Sequence, residues 1–148
     1  MRGLSRRAAA VAAAALITLA ACGGGDGGGS ADSKEEWEDE HGALVEAYSR
    51  DLSAALNTIN QGERQNTINT CTQVKDDAIE VRENALPVPN SAVDAPLRSA
   101  VDFGIKAADS CLTGARNTDA RAVEAAQRDF AEARQAMDEA ETALKAWM

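Results

Sequence analysis

Apolar residues recur every three or four positions through two long stretches of this chain, residues 34–85 and 97–148. This spacing places apolar side chains along one face of an α-helix. The alternation of apolar and polar residues that is typical of β-strands is absent from both stretches. Ala, Glu, Arg, Gln and Leu, which favour helices, dominate them, whereas glycine and proline are rare. The pattern therefore predicts an all-α fold.

Turn and capping residues divide these stretches into four predicted helices. We expect the first helix to start after Asp32 or Ser33 and to end at Gln61-Gly62, and the second to span about residues 63–85. The third should start between Val93 and Pro96, and the fourth should follow Thr118 as its cap. Each helix carries an apolar stripe: Trp37, His41, Leu44, Val45, Tyr48, Leu52, Leu56 and Ile59 on the first; Ile68, Cys71, Val74, Ala78, Ile79, Val81 and Ala85 on the second; Leu97, Val101, Gly104, Ala108, Cys111 and Leu112 on the third; and Val123, Ala126, Phe130, Ala133, Met137, Ala140, Leu144 and Trp147 on the fourth. The last stripe is an a/d heptad repeat, which we interpret as bundle core in preference to an interface with a second chain. We expect Gly104 either to allow a close approach between helices or to be a weak point in its helix.

The N-terminus has the organisation of a bacterial export signal. Three arginines within the first seven residues precede residues 8–21, which are apolar, uncharged and too few to span a bilayer. The motif Leu19-Ala20-Ala21-Cys22 follows, and it resembles the lipobox of bacterial lipoproteins. The resemblance implies that residues 1–21 are a signal peptide, that the chain is cleaved before Cys22, and that the Cys22 thiol receives a diacylglyceryl group. It places the mature protein on the outer face of the cell membrane, and we favour the general secretory route over twin-arginine export.

A glycine-rich segment separates Cys22 from the first predicted helix. Glycine side chains offer nothing to pack, and ordering such a segment costs much conformational entropy. Eleven residues of this coil reach roughly 18 Å. We therefore predict a lipidated cysteine and tether over residues 22–33 and a helical domain over residues 34–148.

The charge of the chain excludes some classes of partner. The 148 residues carry a net charge of −9, and loss of the three arginines in the signal peptide would change this to −12. Nucleic acids and anionic lipid surfaces bind patches of lysine and arginine, which an acidic domain lacks. We expect membrane lipid to be a partner through the Cys22 anchor and an unidentified envelope protein to be another, and we expect no nucleic acid.

Once Cys22 is assigned to the lipid, two cysteines remain, and cysteines outside the cytoplasm usually pair. Cys71 lies fourteen residues before Ala85, and Cys111 lies fifteen residues after Pro96. At about 1.5 Å per residue, both are roughly 21–22 Å from the proline-containing connection, so antiparallel helices would bring them level. The sequence thus predicts an antiparallel up-down bundle of four helices with a Cys71–Cys111 disulfide.

The region from Cys71 to Gly114 resembles small helical lipoproteins of actinobacteria, in which two cysteines bracket a helix–Pro-x-Pro–helix hairpin and an alanine-rich helix follows. The segments that carry the resemblance are Asp77-Ala78, Leu86-Pro87-Val88-Pro89-Asn90 and Ala107-Ala108-Asp109-Ser110-Cys111-Leu112-Thr113-Gly114. It covers about 80 residues, and Phe103 stands where that family usually has Trp or Tyr. The family has no assigned activity, so the resemblance implies a fold and a location without catalytic residues.

One pattern suggests metal chemistry, Glu38-x-x-His41. Ferritin-like bundles use this spacing for a di-metal centre, but they need a second Glu-x-x-His motif, and His41 is the only histidine. A mononuclear site of Glu38, His41 and a distant carboxylate is the remaining metal hypothesis; we favour His41 as the edge of an apolar stripe. The sequence has no haem-attachment motif, catalytic triad or phosphate-binding loop. We therefore expect no cofactor and no enzymatic activity.

Two functional hypotheses follow. The first is a structural or protein-interaction module of the cell envelope, held at the membrane by its lipid. The alternative is a small-ligand or metal-binding lipoprotein that uses the face of the first helix bearing Trp37, His41 and Tyr48.

Overall fold

The computed structural model describes residues 31–148, with side chains described from Lys34 onward. These residues form four helices, α1 (Ala31–Gln61), α2 (Arg64–Asn84), α3 (Ser91–Asn117) and α4 (Ala120–Ala146), with no strand in this part of the chain. Consecutive helices pack against each other, and α1 also packs against α4. The prediction of an all-α up-down bundle with one disulfide is confirmed. Cys22, the signal peptide and most of the predicted tether lie outside the described residues.

Two helices begin earlier than the sequence pattern predicts. α1 begins at Ala31, three residues before the expected start of the domain, so Asp32 and Ser33 lie inside the helix and do not precede it as caps. α3 begins at Ser91, where the side chain of Asn90 caps it by accepting a hydrogen bond from the Ala92 amide at 2.9 Å. Pro96 therefore lies in the second turn of α3 and not at its start.

The prediction that Thr118 caps α4 is wrong, because the cap is Asp119. The Asp119 carboxylate accepts hydrogen bonds from the backbone amides of Arg121 at 3.0 Å and Ala122 at 3.3 Å. Thr118 instead ends α3 in the left-handed conformation, with φ at 55°. A carboxylate satisfies the free amides of the first turn and also meets the positive end of the helix dipole.

The core lies along the axis of the bundle and is built from the predicted stripes. Its largest fully buried side chains come from all four helices: Tyr48, Leu52, Val74, Val81, Leu97, Val101, Phe130 and Met137. The heptad positions of α4 face this core, which agrees with our interpretation of that repeat as intramolecular. Many core positions are alanine, so each contributes little buried area, and close packing of the helices matters correspondingly more.

The Cys71–Cys111 disulfide joins α2 to α3. The two Cα atoms are 6.3 Å apart, and each cysteine is only 1 % exposed. The bond confirms that the two helices run antiparallel. Cys71 lies 13 residues before the end of α2 at Asn84, whereas Cys111 lies 20 residues after the start of α3 at Ser91, so the cysteines pair although they are not equally far from the connection.

Tyr48 and Gly104 form the closest approach between α1 and α3. The Tyr48 hydroxyl donates a hydrogen bond to the backbone carbonyl of Ala100 at 2.7 Å, and Tyr48 is fully buried. Burial raises the pKa of Tyr48, and the nearby carboxylates of Asp102 and Asp77 raise it further, so the hydroxyl remains a donor. A Cβ atom at residue 104 would overlap the Tyr48 oxygen. Gly104 therefore allows the close approach that its place on the α3 stripe suggested.

Candidate functional site

The bundle has two distinct ends. The start of α1, the connection over residues 85–90 and the end of α4 meet at one end, which we call the hairpin end. Trp37 joins these three elements: its indole N–H donates to the Ala85 carbonyl at 3.1 Å, and its ring centroid lies 6.4 Å from that of Trp147. The α1–α2 and α3–α4 connections form the opposite end. The chain therefore enters the described domain at the hairpin end.

A groove of about 400 Å³ lies between α1 and α4 near the hairpin end. Apolar side chains form its base and charged side chains form its edges. We call this the α1–α4 groove; it is lined by Lys34, Trp37, Glu38, Gly42, Val45, Glu46, Ser49, Glu141, Leu144 and Lys145. Such a combination suits an amphipathic molecule, whose apolar part contacts the base while its polar group meets the charged edges.

The groove exists because α1 and α4 have the least extensive contact of the four neighbouring helix pairs. Gly42 contributes no side chain to it, and a Cβ there would come no nearer than 4.0 Å to its nearest neighbour, the Glu38 Cβ. A polar bridge links the two helices beside the groove. Ser49 donates to Glu141 Oε1 at 2.7 Å, and Arg134 donates to the Ser49 hydroxyl at 2.9 Å. The pattern of apolar residues along the chain does not reveal this groove, because only the rotation of α1 relative to α4 brings its lining residues together.

The structure does not gather Trp37, His41 and Tyr48 into one open face. Trp37 is 5 % exposed and Tyr48 is fully buried, and each donates its polar hydrogen to a backbone carbonyl. His41 is half-buried, with its ring centroid 5.7 Å from that of Trp37. Of the three residues, Trp37 alone lines the α1–α4 groove. Trp37 and Tyr48 thus serve the packing of the core.

The metal-ligand candidates Glu38 and His41 each lie beside a charged side chain of α1. Glu38 lies 4.0 Å from the Lys34 ammonium group, and the His41 Nε2 atom lies 3.7 Å from a carboxylate oxygen of Glu40. Within the described part of the chain, no group of three or more His, Cys, Asp or Glu side chains is placed to hold a metal ion.

A smaller pocket of about 290 Å³ lies at the opposite end of the bundle. Its surface is mainly apolar, and Ile59 and Val123 contribute to it beside the two helix connections. Arg64 crosses this end and donates to the Arg116 carbonyl at 2.9 Å. The bundle therefore has apolar concave surface at both ends, with the larger site at the hairpin end.

The length and hydropathy of the four helices also bear on whether one of them could cross a bilayer. Over residues 31–148, no helix combines the length and the apolar character that a membrane crossing needs. Comparison with known protein families, curated proteins and solved structures finds no match to this chain. The resemblance to helical actinobacterial lipoproteins therefore stays a prediction, and the function has to be argued from the residues of the chain itself.

Proposed function

We propose that this chain is a membrane-tethered extracytoplasmic lipoprotein, and that its helical domain is a structural or protein-interaction module of the cell envelope. One observation carries the proposal. The lipobox-like motif ending at Cys22 is followed by only eight residues, six of them glycine, before α1 begins at Ala31. This arrangement supports a lipid anchor, a glycine-rich tether and a folded domain in that order.

The strength of such an anchor follows from the burial of its acyl chains. Each methylene group buried in the bilayer contributes about 0.8 kcal/mol, so a single chain binds reversibly whereas two or more hold a protein stably. A diacylglyceryl group on Cys22 would supply two chains. The tether of eight residues would reach roughly 16 Å, which keeps the hairpin end of the bundle close to the lipid headgroups.

The geometry of the domain supports an interaction role. α1 has 31 residues, so at about 1.5 Å per residue it extends about 46 Å. The opposite end of the bundle would then stand well clear of the membrane, where another envelope protein can reach it. The side chains most often used in catalysis serve packing here: His41 lies against Trp37, and Cys71 is joined to Cys111.

Substitution of the anchor cysteine tests the lipoprotein proposal. In a bacterial host grown with an alkyne-labelled palmitate, we expect the wild-type chain to be labelled and to fractionate with membranes. Cys22→Ala should carry no label and should be either uncleaved or released, because the acylated thiol has been removed. In-gel fluorescence after coupling of a dye to the alkyne gives the measurement.

The matched control removes the other two thiols. The double variant Cys71→Ala with Cys111→Ala should keep its label, because its anchor is intact. Labelled Cys22→Ala would contradict the proposal.

Cross-linking in intact cells tests the interaction role. Recovery of an envelope protein with the wild-type chain, and its loss with the released Cys22→Ala form, would support that role. Equal recovery with both forms would contradict a role that depends on the tether.

The α1–α4 groove favours a second candidate function, the binding of a small amphipathic ligand. Its base of Trp37, Val45 and Leu144 would contact an apolar group, and the two lysines and three glutamates at its edges would meet a polar one. This candidate differs from the ligand-binding face expected from the sequence, since Tyr48 is in the core and His41 does not line the groove.

Gly42 offers a direct test of groove binding. We expect the uncharged fluorophore N-phenyl-1-naphthylamine to bind the wild-type chain with energy transfer from tryptophan. Gly42→Leu should reduce this affinity at least tenfold, because the new side chain occupies the groove. Gly42→Ala is the matched control, since it adds a single methyl group in open space and should retain most of the binding. Equal affinities for the two variants would rule out the groove as the binding site.

A further inference from the structure

Asp77 is a buried carboxyl group in the contact between α2 and α1. It is 8 % exposed, and its Oδ1 atom accepts a hydrogen bond from the Gln73 side-chain amide at 2.7 Å. The second oxygen, Oδ2, is fully buried and has no hydrogen-bond donor among the described residues. A buried oxygen without a donor costs free energy, so it requires an explanation.

The group that faces Asp77 from α1 is another carboxyl, Asp51, which is near enough to raise the pKa of Asp77. The Asp51 side chain is about one-fifth exposed, and its Oδ1 atom is 3.5 Å from Nε of Arg50. Two ionised carboxylates have no hydrogen to share, and they repel each other at this separation. Binding of one proton removes this repulsion and supplies the missing hydrogen, because the protonated oxygen becomes a donor to the other carboxylate.

We propose that Asp51 and Asp77 form a proton-binding site that links α1 to α2. The site takes one proton from solvent, and that proton completes an O–H···O hydrogen bond between the two helices. No other bond is made or broken. This inference is independent of the proposed lipid anchor, because it rests only on residues inside the bundle.

The surrounding charges favour the protonated form. The pKa of Asp77 is raised from 3.8 to about 6, first by burial, then by the interaction with Asp51 and by the negative charges of Asp51 and Glu80. The amide of Gln73 opposes this shift. On the side of α3, the phenol of Tyr48 lies near Asp77 and near Asp102 of that helix. A neutral tyrosine and a further carboxylate do not stabilise a negative charge at Asp77.

The linkage between proton binding and folding has a definite sign. The folded chain binds this proton more tightly than the unfolded chain, so its contribution to stability is complete below pH 3.8 and is lost as the pH rises through about 6. Above neutral pH the pair carries two charges in the helix contact, which weakens the packing of α1 on α2. The domain thus holds α1 more firmly in acidic surroundings than in neutral ones.

Thermal unfolding of the full-length chain at pH 7.5 and pH 5 tests the proposal. We expect Asp77→Asn to raise the melting temperature at pH 7.5 by roughly 5 °C, because the amide supplies the missing donor to Asp51 without a charge. The variant should also lose most of the stabilisation that the wild type gains at pH 5. Asp76→Asn is the matched control: it removes the same charge from an exposed neighbouring position of α2 and should keep the pH dependence of the wild type.

Two further measurements keep the test decisive. Asp51→Asn should reproduce the effect of Asp77→Asn from the other helix, which separates the pair from any local effect at residue 77. Carbon-13 NMR of the aspartate carboxyls should show one group titrating near pH 6 in the wild type. A melting temperature that responds equally to pH in Asp77→Asn and Asp76→Asn, or an Asp77 carboxyl that titrates near its ordinary value, would overturn the proposal.

Discussion

We expect loss of the Cys71–Cys111 disulfide to lower the free energy of unfolding by about 4 kcal/mol. The cysteines are 40 residues apart in sequence, so the bond removes many conformations from the unfolded chain. Domains of this size are typically stable by about 5–15 kcal/mol, which makes the expected loss a large share of the total. The effect should be prominent here because the alanine-rich core buries little area per residue.

The helices should survive loss of the disulfide even though the stability falls. Each helix retains its apolar face, and α3 and α4, which share the most extensive contact, are joined without help from the bond. Urea denaturation followed by circular dichroism compares the oxidised wild type with the double variant Cys71→Ala, Cys111→Ala. The expected result is a lower midpoint with a similar helical signal before the transition.

The single variant Cys22→Ala serves as the control, since it removes a cysteine that lies outside the bundle. Mass spectrometry of the unreduced protein should give an intramolecular bond between Cys71 and Cys111. An unchanged urea midpoint in the double variant would show that the bond does not stabilise the fold, and a disulfide-linked dimer as the main species would contradict the observed pairing.

Gly104→Ala should destabilise the bundle by about 2–4 kcal/mol, although alanine is the better helix former. The added Cβ would overlap the Tyr48 hydroxyl and would lie 3.0 Å from Cζ of the same ring. The fully buried Tyr48 ring then has to move, and its hydrogen bond to the Ala100 carbonyl is lost. Together these costs exceed the roughly 1 kcal/mol that alanine contributes to an exposed helix.

A double-mutant cycle with Tyr48→Phe isolates this contact. Tyr48→Phe alone should cost about 1 kcal/mol, because it removes one buried hydrogen bond. Gly104→Ala should then be less damaging when it is combined with Tyr48→Phe, with a coupling of at least about 1 kcal/mol. Gly42→Ala is the same substitution in α1 with open space around it, and it should be neutral or stabilising. Additive effects of the Tyr48 and Gly104 substitutions would contradict the close approach.

The spacing of residues along the chain was enough to predict the helices of this protein and the antiparallel pairing of α2 with α3. The stripes on the four helices follow from the spacing of apolar residues, because a helix of 3.6 residues per turn leaves few other arrangements for them. Cys71 and Cys111 are not equally far from their helix ends, since α3 begins at Ser91, but their antiparallel pairing was predictable because they lie on either side of a connection that Pro87 and Pro89 force to turn. Both inferences need only distances along the chain.

The side chains that meet across the helices could not be predicted from residue spacing, because they depend on how the helices pack in three dimensions. The capping of α4 by Asp119 instead of Thr118 depends on how closely α3 and α4 are joined. The α1–α4 groove and the facing carboxyls of Asp51 and Asp77 depend on the rotation of each helix about its axis. Many rotations satisfy the same apolar stripe, since burial of apolar area has no direction. The final choice comes from close packing, such as that of Tyr48 against a glycine, and close packing involves residues far apart in sequence.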